Sequence, residues 1–153
     1  MKRICLYLFL LFPLAGLSQN FIGQTKDQVK KELQKQVVKN DSITITLTDN
    51  DTVLIYSIKD KKVLPVEFIY QFDAHGKCRS EKVVAGCAPC FNKYLQAVLA
   101  RKRYEWKKIN ENQYISKYSA RMMIELPAEN KDFSYKIIRT GWTKELYKLL
   151  TEN

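Results

Sequence analysis

The run Gly86-Cys87-Ala88-Pro89-Cys90-Phe91 divides this chain into two stretches that read alike, and that division limits the folds open to it. Each stretch opens with apolar residues at helical spacing and continues with short segments of period two. A helix can bury only a stripe and a half-wet strand only one side. Two such units must therefore pool their apolar faces.

In the first stretch, Thr25-Lys26-Asp27-Gln28 carries the sequence of a capping box, with Thr25 as N-cap and Gln28 three residues on. Asp27 suits the positive end of the helix dipole. Val29, Leu33 and Val37 form the buried stripe, and Asn40-Asp41 ends the helix. Ser42 to Thr48 then alternates strictly, with Ile43, Ile45 and Leu47 on one side and threonines on the other. Further strands are expected over Thr52–Ile58, Val66–Phe72 and Cys78–Val84. Turns fall at Asp49-Asn50-Asp51, Lys59 to Lys62 and Asp73 to Lys77.

The second stretch begins with a helix from Pro89, burying Phe91, Tyr94, Leu95 and Val98. Strands are expected over Tyr104–Ile109, Gln113–Tyr118, Arg121–Leu126 and Phe133–Arg139. Thr143-Lys144-Glu145 caps a short terminal helix. Helices alternating with runs of meandering strands predict an α+β fold with an antiparallel sheet and the helices on one face. Residues 19–153 read as one domain, with pseudo-repeat halves at about 19–85 and 86–153.

The first 18 residues read as a cleavable export signal: Lys2-Arg3, an apolar stretch from Cys5 to Leu14, and small residues at Gly16 and Ser18. A periplasmic or extracellular, not membrane-spanning, protein is expected. The formal net charge of +10 makes acidic surfaces candidate partners. Its lysines are scattered, as on a solvated surface. Nucleic acid is not an expected partner of an exported chain.

Gly23-Gln24-Thr25-Lys26-Asp27-Gln28-Val29 resembles the helix-opening pattern Gly-x-Ser/Thr-x-x-Glu/Gln-Val of the β-lactamase-inhibitor-protein-like group. Tyr70-Gln71-Phe72-Asp73 with Gly76-Lys77-Cys78 is similar to a strand–turn–strand of small exported proteins of this type. That group includes a small accessory lipoprotein of the outer-membrane barrel assembly machinery. The resemblance implies a helix followed by a meander, and non-enzymatic binding to envelope or secreted proteins.

Beyond Cys5 in the signal, the chain has Cys78, Cys87 and Cys90, so at most one internal bridge forms. One reading is a structural bridge from Cys78 to Cys87 or Cys90, contributing about 2–3 kcal/mol. The other is redox chemistry. Cys87-Ala88-Pro89-Cys90 at a helix start resembles thioredoxin-like active sites, with Cys87 as nucleophile and Cys90 as resolving thiol. A helix N-terminus lowers a thiol pKa. Gly86 departs from that family, where a Trp is usual, and no Ile/Val/Thr-Pro pair offers its cis-proline.

The single histidine, His75, belongs to a turn. Three cysteines plus His75 match no common zinc spacing. Glu67, Asp73, Glu81, Glu105 and Glu125 read as solvated strand positions. No phosphate-binding glycine loop, nucleophile elbow or metalloprotease motif is present, and no cofactor is expected. Aromatic residues interleaved with cations mark a candidate binding face: Tyr104, Trp106, Lys108, Tyr114, Tyr118, Arg121 and Tyr135. The reading is a non-enzymatic protein-binding or envelope-accessory module. A thiol–disulfide protein and a surface polyanion binder are the alternatives.

Overall fold

A computed structural model describes residues 20–39, 42–60, 63–128 and 132–152. The expected export signal lies outside them. Thr25 caps helix α1 (Lys26–Gln34): its hydroxyl accepts the Gln28 N–H, and the Gln28 side chain accepts the Thr25 N–H at 2.9 Å. Gly23 precedes it at φ +89°, a backbone conformation that favours glycine. Val29 and Leu33 are buried, as the spacing predicts. Val37 is not: the helix stops at the Lys35 cap, and Val37 is 45% exposed on the way into the sheet.

Four antiparallel strands follow the short β1 (Val38–Lys39): β2 (Ile43–Asn50), β3 (Val53–Asp60), β4 (Val63–Phe72) and β5 (Cys78–Ala85). The β4–β5 turn is tied by Asp73, whose carboxylate accepts the His75 and Lys77 N–H groups. Helix α2 (Ala88–Leu99) and a 3₁₀ turn (Lys102–Tyr104) come next. Strands β6 (Lys107–Asn110), β7 (Gln113–Ile115), β8 (Met122–Glu125) and β9 (Ser134–Arg139) precede helix α3 (Lys144–Thr151). The strand expected from Tyr104 is thus shorter, because the chain first turns through the 3₁₀ segment.

All pairings are antiparallel, in one nine-stranded sheet of order β1-β2-β3-β4-β5-β9-β8-β7-β6. The two meanders meet along β5 and β9, where Val83 faces Tyr135 and Glu81 faces Ile137. Cross-strand partners share a side of a sheet. One side therefore carries Tyr56, Phe68, Val83, Tyr135, Ile137 and Ile124 in adjoining positions. Both α1 and α2 pack on this side. Phe21 meets Tyr70, Phe68 meets Tyr94 and Phe91 meets Tyr135, with ring centroids 5.4–6.1 Å apart. The α+β architecture with an antiparallel sheet is as the sequence predicts, and α1 and α2 share one sheet face. No helix among the described residues is long and apolar enough to cross a membrane.

Candidate functional site

With α1 and α2 packed on one side, the other side of the sheet is covered by neither of them, and α3 touches the sheet at its far edge, β6. The register assigns its residues. One row runs Thr48–Ile55–Ile69–Lys82–Lys136–Glu125–Gln113 across seven strands. Beside it lie Val53–Gln71–Ser80–Ile138–Met123 and Ser57–Glu67–Val84–Ser134. Ile55, Ile69, Val84, Ile138 and Met123 are only partly buried, so an apolar band stays in contact with solvent. A concavity of about 520 Å³ opens at its centre, lined chiefly by Ile69, Gln71, Lys82, Lys136, Glu125 and Leu126. This side is the candidate binding surface.

The aromatic face expected from the sequence is dispersed. Tyr104 and Tyr135 are buried. Tyr114 and Lys108 share the helix side of the sheet with Ile124. Trp106 packs on Tyr104 and donates from its indole N–H to the Val98 carbonyl at 3.1 Å, which closes the end of α2. Tyr118 stacks with Tyr147 of α3, and the Arg121 guanidinium lies 5.4 Å from its ring centroid. These residues serve three separate packing contacts and do not line one open face.

Cys87 and Cys90 are disulfide-bonded to each other, and neither is joined to Cys78. The expected bridge from Cys78 is therefore replaced by the short one. Cys78 is buried and free on the helix side, and burial pushes its thiol up to about 12. The cause is geometric: Cys78 shares a register position with Phe72 inside the core, away from the α2 start. Cys87 is the N-cap of α2, and its Sγ accepts the Cys90 N–H at 3.1 Å. Both cysteines are partly exposed. Two exposed apolar side chains flank the motif. Leu64 is 57% exposed and so close to Gly86 that a Cβ there would lie 2.5 Å from the Leu64 Cβ. Phe133 is 37% exposed, and its carbonyl accepts the Ala85 N–H. No peptide bond is cis among the described residues, and no strand is parallel. The surroundings are not those of a thioredoxin fold.

A third cluster was not visible in the sequence. Glu81, read above as solvated, is 2% exposed and directly across from Tyr70. Burial raises its carboxyl to about 7, and Arg101 opposes the shift. Tyr70 Oη, Glu81 Oε2 and Arg101 Nε and Nη1 are buried without hydrogen-bond partners. Its only signal in the sequence is the pairing of Tyr70 with Glu81 around the β4–β5 turn, which needs the bulge at Phe72 to be known. No family model, curated protein or solved structure matches this chain.

Proposed function

We propose that this protein is an exported, non-enzymatic recognition module that binds a partner polypeptide of the envelope or of the secreted pool. The observation that carries this is the division of labour in the sheet: one side is closed by α1 and α2, and the other keeps an apolar band open. Partly exposed Ile55, Ile69 and Ile138 contribute little as solvated side chains and much as a contact surface. Scattered lysines around the band favour an acidic partner. The test introduces a charge on the band without touching the core. Ile55→Asp and Ile138→Asp should abolish capture of a partner from an envelope extract while leaving the far-UV spectrum intact. Tyr118→Ala, away from the band, should not. Equal capture by all variants would overturn the reading.

A second reading rests on the Cys87–Cys90 bridge. Spanning only Ala88 and Pro89, it closes a loop worth about 2 kcal/mol by chain entropy, a weak brace. As a redox couple it is better placed, at a helix N-terminus beside exposed Leu64 and Phe133. In that role a substrate thiolate attacks the bridge, forming a mixed disulfide. A second substrate thiol then releases the protein as its dithiol, and the substrate leaves oxidised. Faster reduction of insulin by dithiothreitol, lost in Cys87→Ser, would support it; an unchanged rate would sink it.

A further inference from the structure

We propose that the concavity around Lys82 and Lys136 binds the carboxylate of a small organic acid, with the acid's apolar body against Ile69 and Leu126. This rests on reading the side opposite α1 and α2 as the binding side, and it adds a ligand chemistry. Lys82 and Lys136 are direct cross-strand partners on β5 and β9. Like charges placed opposite each other work against the sheet. Such a pair persists more readily where an anion bridges it. Among the described residues, ion pairs join Lys26 and Lys30 to Asp49, Lys35 to Glu32, Lys108 to Glu111 and Lys117 to Glu105. None of them takes up Lys82 or Lys136. Glu125 stands across from Lys136 without an N–O distance within the 4.0 Å of an ion pair. Its charge offsets one lysine and leaves the concavity net positive.

The remaining lining fits the same ligand. At about 520 Å³ the space is in the size range of small-molecule sites. The Gln71 side-chain oxygen already accepts the Ser80 hydroxyl at 2.9 Å, so its amide nitrogen is the group left to donate. Ser134 contributes a hydroxyl from the next row. Cations and donors at one end with Ile69, Leu126 and Pro127 around them match a charged head on an apolar body, and fit a bare ion poorly.

The probe is 4-phenylbutyrate, titrated into isotope-labelled protein and followed by NMR, with 4-phenylbutyramide and inorganic phosphate as comparisons. Saturable shifts should be confined to residues around Ile69, Lys82, Ser134 and Lys136. The amide and phosphate should each bind at least roughly tenfold more weakly. Lys82→Gln and Lys136→Gln should each weaken the acid by roughly tenfold, and Glu125→Gln should tighten it. The lysine variants relieve a repulsion, so they should melt no lower than the wild type, which separates lost binding from lost folding. Absent or scattered shifts, variants of unchanged affinity, or equal binding of phosphate would each overturn the proposal. If the acid fails to bind while Ile55→Asp still loses its partner, the carboxylate site falls and the recognition face stands. If the acid binds with the expected lysine dependence while partner capture ignores Ile55→Asp, the recognition reading falls instead.

Discussion

Tyr70 and Glu81 face each other across β4 and β5 inside the protein, with Tyr70 Oη and Glu81 Oε2 both lacking a hydrogen-bond partner. Desolvation raises both groups, the carboxyl to about 7. In the unfolded chain a glutamate titrates at about 4.3. Between these values the folded state holds a proton that the unfolded state has released. The Glu81 contribution to stability is therefore greatest in acid and falls as pH rises from about 4.5 to about 7, by roughly 3 kcal/mol, opposite in sign to that of the lowered carboxyls of Asp49 and Asp73. Glu81→Gln should remove this slope and should be more stable than wild type at pH 8. Urea unfolding at a series of pH values checks both.

The Thr25–Gln28 capping box satisfies the Thr25 and Gln28 N–H groups at the start of α1, beside the Lys26 N–H that donates to the Gly76 carbonyl. Thr25→Ala should cost about 1 kcal/mol, seen as a lower urea midpoint with an unchanged slope.

Gly86 lies under Leu64 at the entrance to α2, with its N–H donating to the Pro65 carbonyl. Gly86→Ala should destabilise by about 1–3 kcal/mol through overpacking. Leu64→Gly should recover part of that loss, because it removes the Leu64 Cβ, one of the atoms in the way, whereas Leu64→Ala keeps that Cβ and the Pro65 carbonyl stays in either case. A double-mutant cycle measured by chemical denaturation reads the coupling.

Cys78 should be silent in the folded protein. A thiol pushed up to about 12 by burial reacts slowly with iodoacetamide at pH 8. Mass spectrometry should find Cys78 unmodified under native conditions and alkylated in guanidinium, with the Cys87–Cys90 pair resistant in both until reductant is added.

The capping box, the α1 stripe at Val29 and Leu33, and the inward set Val66, Phe68, Tyr70 and Phe72 were legible because each depends only on near neighbours. What depends on register was not. A one-residue slip moves every side chain to the opposite face. Tyr114 and Tyr135 could thus be read as a free surface, although pairing with Ile124 and Val83 puts them on the covered side. Glu81 failed for the same reason, since charge suggests solvent until its neighbours are known to be Tyr70 and Ile137. The apolar band was overlooked because Ile55, Ile69 and Ile138 occupy alternate positions that a half-wet strand normally fills with polar residues.

The pairing of β5 with β9 has a consequence for the order in which the protein is made. Strand β5 is complete long before its neighbour exists, and residues 134–139 are needed to shield its open backbone. During synthesis the first half thus carries an unguarded hydrogen-bonding edge through the whole length of the second. A nascent chain stopped short of β9 would be a template for joining other chains, and the last strand acts as the latch that ends that exposure.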